Sequence, residues 1–400
     1  MIEFVTIKRI LKVALYLPAL LSITFQLSGQ PQNEPIYKEI RLNPSDKSES
    51  RLSEIASSIR YVKLESPVHT YIPFSYKIIP HDDQIFILSA DNSGDYLACF
   101  SSDGKFRFKI QRRGKGPGEY MSINDFLIDV LEKKVLILDE FSKKIIRFGL
   151  DGSFEDEASI PVRADKFGLL EQGGILLHAP QPTKIDEFDR SFNFYRINRS
   201  GVESGTPIIP KTLLLDYSTD GDIVKGAHGL LIRCGFRDTL FQLNPAGKIT
   251  GGYSLNFASR QAEFLRKLKP LIGTKEANAF MNSFAGFTTI GNVLGLTDHL
   301  YLYLFTRISS EEVRHQSCFF NLKTGSVIQA SGKLINDIDG VPLNGVPSSS
   351  YGDELIYIVH NDELTEAAKT ETNPKFPIVF DKIKPLTESD NAVLAFVKLK

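Results

Sequence analysis

Two stretches of this chain carry the same order of apolar and polar positions. The apolar run Ile85-Phe86-Ile87-Leu88 is followed by Cys99-Phe100 and the polar turn Ser102-Asp103-Gly104-Lys105. Val135-Leu136-Ile137-Leu138 is followed by Arg147-Phe148 and Asp151-Gly152-Ser153. Ile85 to Val135 spans 50 residues and Gly104 to Gly152 spans 48, with weaker echoes at Gly201, Gly247 and Gly325. A fixed period near fifty is the mark of a repeat architecture. Each unit reads as an apolar strand, a turn, a second apolar strand, an Asp-Gly type hairpin and a more polar outer strand. That is a four-stranded antiparallel sheet. Runs 300–305 and 355–359 are almost continuously apolar, so both faces of those strands must be covered.

Five turn signals give five units, and the two chain ends supply a sixth. Runs 355–360 and 392–398 are read as its inner strands, and Arg60-Tyr61-Val62-Lys63-Leu64-Glu65, which has no local partner, as its outer strand. The fold expected is therefore all-β: a six-bladed β-propeller closed by its N-terminal strand, which removes the exposed sheet edges. A pair of β-sandwiches or an open solenoid leaves the period and the unpaired ends unexplained. The gap of 78 residues between Gly247 and Gly325 holds an insertion, about 258–284. There Phe264, Leu265 and Leu268 form one helical stripe, Pro270 ends it, and Thr274 is positioned to cap a second helix carrying Ala277, Phe280, Met281 and Phe284. A short amphipathic stretch, Leu52, Ile55 and Ile59, precedes the first strand.

The stretch Gly114-Lys115-Gly116-Pro117-Gly118-Glu119-Tyr120, with Asp103-Gly104-Lys105-Phe106 before it and Asp125-Phe126 after it, resembles the hallmark of a family of secreted six-bladed propellers of Bacteroidetes-type bacteria. The runs 60–65 and 236–241 resemble that family too. The resemblance covers most of the chain and implies an NHL-like propeller without a settled activity.

Lys8, Arg9 and Lys12 followed by an interrupted apolar stretch over 13–27 read as a signal peptide, residues 1–30, too short for a comfortable membrane span. A propeller over 60–400 would follow an extension over 31–59. A periplasmic or secreted protein is expected. No Cys precedes Cys99, so the start of the mature chain offers no residue for lipidation. Cys99, Cys234 and Cys318 lack any C-x-x-C spacing and are read as core residues. Lys+Arg 47 against Asp+Glu 48 gives a net charge of −1, and no basic stretch is dense enough for a phosphate backbone, so nucleic acid is excluded as a partner. Twenty-eight Phe and fourteen Tyr with no Trp suit sheet packing.

In such a ring, function is expected on the face built by the crossovers between blades and by the loops joining second to third strands. Arg112, Arg113, Lys115 and Glu119 are the densest charge cluster there, beside Tyr120 and three glycines whose N–H groups suit an anion or a sugar. In the plainer reading, Gly114, Gly116 and Gly118 permit positive φ in a tight crossover and Glu119 pairs with a cation. Asp139, His178, Arg237, Arg307 and His360 complete the candidates by position. His178 and His360 alone make an incomplete site for a divalent metal. Asp216, Ser218 and Asp220 resemble the opening of a calcium loop, but its twelfth position is Ala227 rather than Glu. No G-x-S-x-G elbow occurs. The expectation is a monomeric, non-enzymatic propeller with no cofactor, binding a small molecule, glycan or protein partner. The competing class is a metal-assisted lactonase- or lyase-type enzyme at the channel mouth, and a third is a scaffold for surface complexes.

Overall fold

The repeated glycines are the pivots of each sheet. Gly104, Gly152, Gly247 and Gly325 have φ of 90°, 83°, 79° and 75°, each in the turn between a blade's third and fourth strands. This left-handed region is open to glycine at little strain. A computed structural model describes residues 35–400 except 44–48, 68–69, 73–74, 180–191, 200–205, 211–220, 227, 235–236, 258–259, 272–273, 333 and 386–389. Gly201 and the calcium-loop candidates Asp216, Ser218 and Asp220 lie outside the described residues.

Six antiparallel sheets follow one another along the chain. The first is Lys77–His81, Gln84–Asp91, Gly94–Ser101 and Phe106–Ile110; the second Asp125–Asp129, Lys134–Asp139, Lys144–Gly149 and Phe154–Ser159. The third is Lys166–Leu169, Gly174–His178, Phe192–Asn198 and Thr206–Pro210; the fourth Gly221–Gly226, Gly229–Cys234, Thr239–Leu243 and Ile249–Asn256. The fifth is Phe287–Gly295, His299–Arg307, Val313–Asn321 and Val327–Ser331; the sixth Ser349–Tyr351, Glu354–Val359, Val393–Leu399 and Ala56–Lys63. Strand side chains alternate between faces, and each face meets a different neighbour. Ile85 and Ile87 pack with Val62, Ile356 and Phe396 of the sixth blade, while Phe86 and Leu88 pack with Phe126 and Phe148 of the second. This is why the apolar runs do not alternate with polar residues.

Closure is as the sequence implies: Tyr61 pairs with Ala395, Val62 with Leu394 and Lys63 with Val393 in an antiparallel ladder. Several details differ. The closing strand starts at Ala56, so Ile59 belongs to it and the preceding helix is only Leu52–Ile55. The runs read as inner strands of the sixth blade are its second and third; the innermost is Ser349–Tyr351, three residues too short and polar to carry a pattern. Two helices, Asn361–Thr370 and Phe376–Ile383, fill that blade's loop between second and third strands. A further strand, Ile36–Arg41, adds in parallel outside Ile249–Asn256. Asn43 and Ser50 both bond to the fifth blade: the Asn43 N–H donates to Gln329 Oε1 at 2.9 Å and Ser50 Oγ to the Gln329 carbonyl at 3.1 Å.

The insertion forms helices Gln261–Leu268 and Glu276–Ser283. Phe264 stacks on Phe287, centroids 3.7 Å apart, and with Leu268 and Phe284 makes a small core of its own. Thr274 does not cap the second helix; its hydroxyl donates to the Leu271 carbonyl at 2.6 Å. Cys99, Cys234 and Cys318 are buried and unbridged. No helix among the described residues is long and apolar enough to cross a membrane.

Candidate functional site

Each inner strand begins on the crossover face, so the opening residues of successive blades gather at one mouth of the channel. Lys77, Asp125 and Lys166 open the first three inner strands, and Asp222 is the second residue of the fourth. Their signs alternate, and each charge meets a partner. Lys77 Nζ lies 2.6 Å from Asp125 Oδ1, while Asp125 Oδ2 accepts the Phe167 N–H at 3.2 Å. Lys166 Nζ is 3.0 Å from one oxygen of Asp222, and Arg233 Nε donates to the other at 2.6 Å. Beside them His178 Nδ1 lies 2.6 Å from Asp165 Oδ1, its ring packed on Phe194. In the fifth blade Thr288 stands where Asp222 stands in the fourth, and its buried hydroxyl is 3.1 Å from that of Thr306. The sixth contributes Ser349, whose hydroxyl donates to the Ile78 carbonyl at 2.5 Å. Four blades thus contribute ions to the collar, and the fifth and sixth contribute neutral polar groups.

Burial alone would raise the Asp222 carboxyl, but Arg233 and then Lys166 outweigh it and hold it below the usual range. Burial would lower the Lys166 ammonium, yet Asp222, Asp165 and Asp125 keep it above its ordinary value. Glu140, in the adjoining loop, is pushed up by burial and then by the Asp165 charge, against the pull of Arg163. Three cations, Lys77, Lys166 and Arg233, face three carboxylates, Asp125, Asp165 and Asp222. The collar is a fixed array of donors and acceptors with no excess of either sign.

The crossover over 111–122 is built differently from its expected role. Its three glycine N–H groups are already used: Gly114 donates to the Tyr120 carbonyl at 2.9 Å, Gly116 to Glu119 Oε2 at 2.8 Å and Gly118 to Glu157 Oε2 at 3.0 Å. Only Gly118 has positive φ, 71°. Gly114 is glycine because the Glu119 carboxylate lies against its Cα, 2.0 Å from where a Cβ would stand. Glu119 therefore braces its own loop rather than pairing with a cation. Tyr120 is buried, its hydroxyl donating to the Asp95 carbonyl at 2.9 Å, and burial pushes it up to about 12. Asp139, also buried, accepts the Met121 N–H at 2.8 Å and the Ser142 N–H at 3.0 Å. Arg112, Arg113 and Lys115 are exposed on this loop, Arg112 with its guanidinium 5.9 Å over the Phe148 ring. Arg237, half-buried, lies on the fourth blade; the Arg307 carbonyl accepts the Gly286 N–H at 2.8 Å on the fifth; and exposed His360 leads into a helix on the sixth, its N–H 3.3 Å from Glu363 Oε2. Of the ten candidates, His178 is brought to the collar, by its bond to Asp165.

The match to a family covers residues 38–398, against a domain of unknown function, DUF4934. The chain belongs to the DUF4934 family. Among solved structures, this DUF4934 protein is similar to a candidate exported protein of Bacteroides fragilis, at 17% identity and a TM-score of 0.68, over 90% of this chain and 99% of that one. It is also similar to a DUF4221 family member of Bacteroides vulgatus, at 11% identity and a TM-score of 0.53, over 86% and 97% of the two chains. At these identities the likeness shows the fold, a propeller of Bacteroidetes type. No curated protein matches the sequence.

Lys77, Asp125, Asp165, Lys166, Asp222 and Arg233 are the functional candidates of this DUF4934 propeller that sequence reasoning passed over. The available signal was faint: a single charged residue immediately before a short apolar strand, as in Lys77-Ile78-Ile79, Asp125-Phe126-Leu127 and Asp222-Ile223-Val224.

Proposed function

We propose that this DUF4934 propeller is an exported, non-enzymatic binding protein whose collar takes a neutral, hydroxyl-rich ligand, a glycan or a sugar-like small molecule. The observation that carries this reading is the balance of the collar. Its ions sit in fixed pairs and offer directed donors and acceptors, but no surplus positive charge for a phosphate and no surplus negative charge for a cation. Ion pairing holds the Asp222 carboxyl ionised well below neutral pH, which suits an acceptor more than a general acid. The signal-like leader and the likeness to a candidate exported protein support export.

A thermal-shift screen of the purified protein against saccharides, with phosphate and sulfate as anionic controls, tests this. A saccharide present at about 100 times its Kd stabilises by about 2.7 kcal/mol. That shift should vanish in Lys166→Met and persist in Lys115→Ala. Stabilisation by the anions alone, or a saccharide shift indifferent to Lys166→Met, would refute the reading. The His178–Asp165 pair gives the second reading its one support, since a carboxylate-oriented imidazole is how metal ligands and general bases are held. No group of three His, Cys, Asp or Glu side chains among the described residues is arranged to hold a metal ion. A stoichiometric divalent ion in the purified protein, lost in His178→Ala, would favour the metal-assisted lactonase or lyase over the binder.

A further inference from the structure

The inner strands that carry the collar continue to the opposite face, where they enclose a second feature. A cavity of about 300 Å³ lies between the second, third and fourth blades. Its walls are Leu127, Phe167, Leu169, Ile223 and Leu230, with Lys225 at the rim. Turn residues from the far ends of these strands, among them Leu131, Glu171 and Pro245, also line it, so it opens away from the crossover loops. Strand rise separates it from the collar: Leu127 is two residues beyond Asp125 and Leu169 three beyond Lys166, about 7–10 Å down the channel.

Phe167 is buried, but Leu127, Leu169, Ile223 and Leu230 are only partly buried, although the same residue types elsewhere in the ring are sealed between blades. An apolar cavity of about 150 Å³ in a protein core stays dry and takes up benzene. One twice that size holds two fused rings or an alkyl chain of comparable bulk, at the lower end of ordinary ligand pockets. The charges at the mouth are not equivalent. Asp129 and Arg199 are joined at 2.5 Å, and Arg199 also meets Glu132 at 2.5 Å. Lys225, exposed, has no ion pair among the described residues. Ile223 and Lys225 are two residues apart on one strand, so their side chains share a face, and both line the cavity.

From these observations we infer that the channel end opposite the crossover loops is a second binding site, for a small molecule with an apolar body and an anionic end. The body fills the space between Leu127, Leu169 and Ile223, and the anion meets Lys225. This site is independent of the collar, and either stands if the other fails.

The test uses two dyes with the same ring system, 8-anilinonaphthalene-1-sulfonate, which is anionic, and N-phenyl-1-naphthylamine, which is neutral, read by fluorescence on the folded protein. Both should bind. Leu169→Trp, which fills the cavity, should weaken both by about tenfold or more, the equivalent of about two to three buried CH₂ groups. Ile223→Phe should act in the same direction and guards against a folding defect in the first variant. Lys225→Gln should weaken the sulfonate alone by about three- to fivefold, the scale of a partly exposed ion pair. Lys166→Met should change neither dye. The site is overturned if both cavity-filling variants bind the dyes as the parent does, or if Leu131→Ser on the exposed rim abolishes binding that Leu169→Trp leaves intact. Equal weakening of both dyes by Lys225→Gln would overturn the assignment of the anionic end.

Discussion

Replacing Asp222 with Asn tests the collar at its most buried point. The amide keeps the shape of the side chain but removes the charge that faces Arg233 at 2.6 Å and Lys166 at 3.0 Å. The Arg233 side chain is only 4% exposed and that of Asp222 only 13%. Removing one partner of a buried pair takes from the remaining charge its closest counter-charge, which typically destabilises by about 3–5 kcal/mol. Asn still accepts one hydrogen bond, so the lower end, about 3 kcal/mol, applies. Lys166 is 37% exposed and solvent screens it, so its contribution is small. With about 2.1 cal/mol/K of unfolding entropy per residue over roughly 370 residues, about 3 kcal/mol lowers Tm by about 4 °C. The assay is thermal unfolding by circular dichroism across pH. The folded-state pKa of Asp222 is depressed, so its stabilisation is complete above the unfolded value of about 3.9 and is lost as pH falls through the lower folded value. The gap between parent and variant should therefore be constant from about pH 8 to 5 and narrow below about pH 4. Asp222→Asn combined with Arg233→Met should be more stable than Asp222→Asn alone, because the buried cation that lost its counter-charge is replaced by an apolar side chain. A gap under about 1 °C at neutral pH, or one that widens in acid, would show that this pair is not holding the mouth together.

Three further outcomes follow from the fold. Gly118→Ala forces a side chain into positive φ with its Cβ 2.7 Å from the Phe154 ring, so it should destabilise by about 1–3 kcal/mol, whereas Gly116→Ala keeps an ordinary φ and comes only within 3.1 Å of the Glu119 carboxylate, and should be milder; chemical denaturation gives the order. Removing residues 1–43 takes away the buried side chains of Ile40 and Leu42, about 1.5–3 kcal/mol each, and should lower Tm by several degrees and expose the outer edge of the fourth blade to aggregation, seen by light scattering. Burial pushes the Cys99 thiol up to about 12, with Arg107 and Gln84 offsetting it only in part, and Cys234 and Cys318 are buried too, so a thiol reagent should label none of the three until the protein unfolds.

The ring was legible wherever its cause is local. An Asp-Gly turn needs positive φ, and Gly104 and Gly152 announce it in the sequence as plainly as in the structure. The continuous apolar runs announced strands with two covered faces, and the unpaired Tyr61-Val62-Lys63 announced closure. What escaped is set by distant partners. The strand Ile36–Arg41 pairs with one more than 200 positions away and carries no alternation, four of its first five residues being exposed. Lys77 and Asp125 are 48 residues apart and Lys166 and Asp222 are 56, and nothing in either neighbourhood marks the pairing. The glycine-rich crossover drew the eye because its residues are dense and unusual. Density there reflects a loop whose N–H groups bond within the loop and to Glu157 of the next blade, while the collar is assembled from one to three residues contributed by each of several blades.

The most direct measurement is a crystal structure of the protein with the saccharide that gives the largest thermal shift. The account expects its hydroxyl groups within hydrogen-bond distance of the Lys166 ammonium and of the carboxylates of Asp125 or Asp222, at the crossover-loop mouth. Saccharide density confined to the outer surface of the blades, with the collar ion pairs untouched, would contradict it.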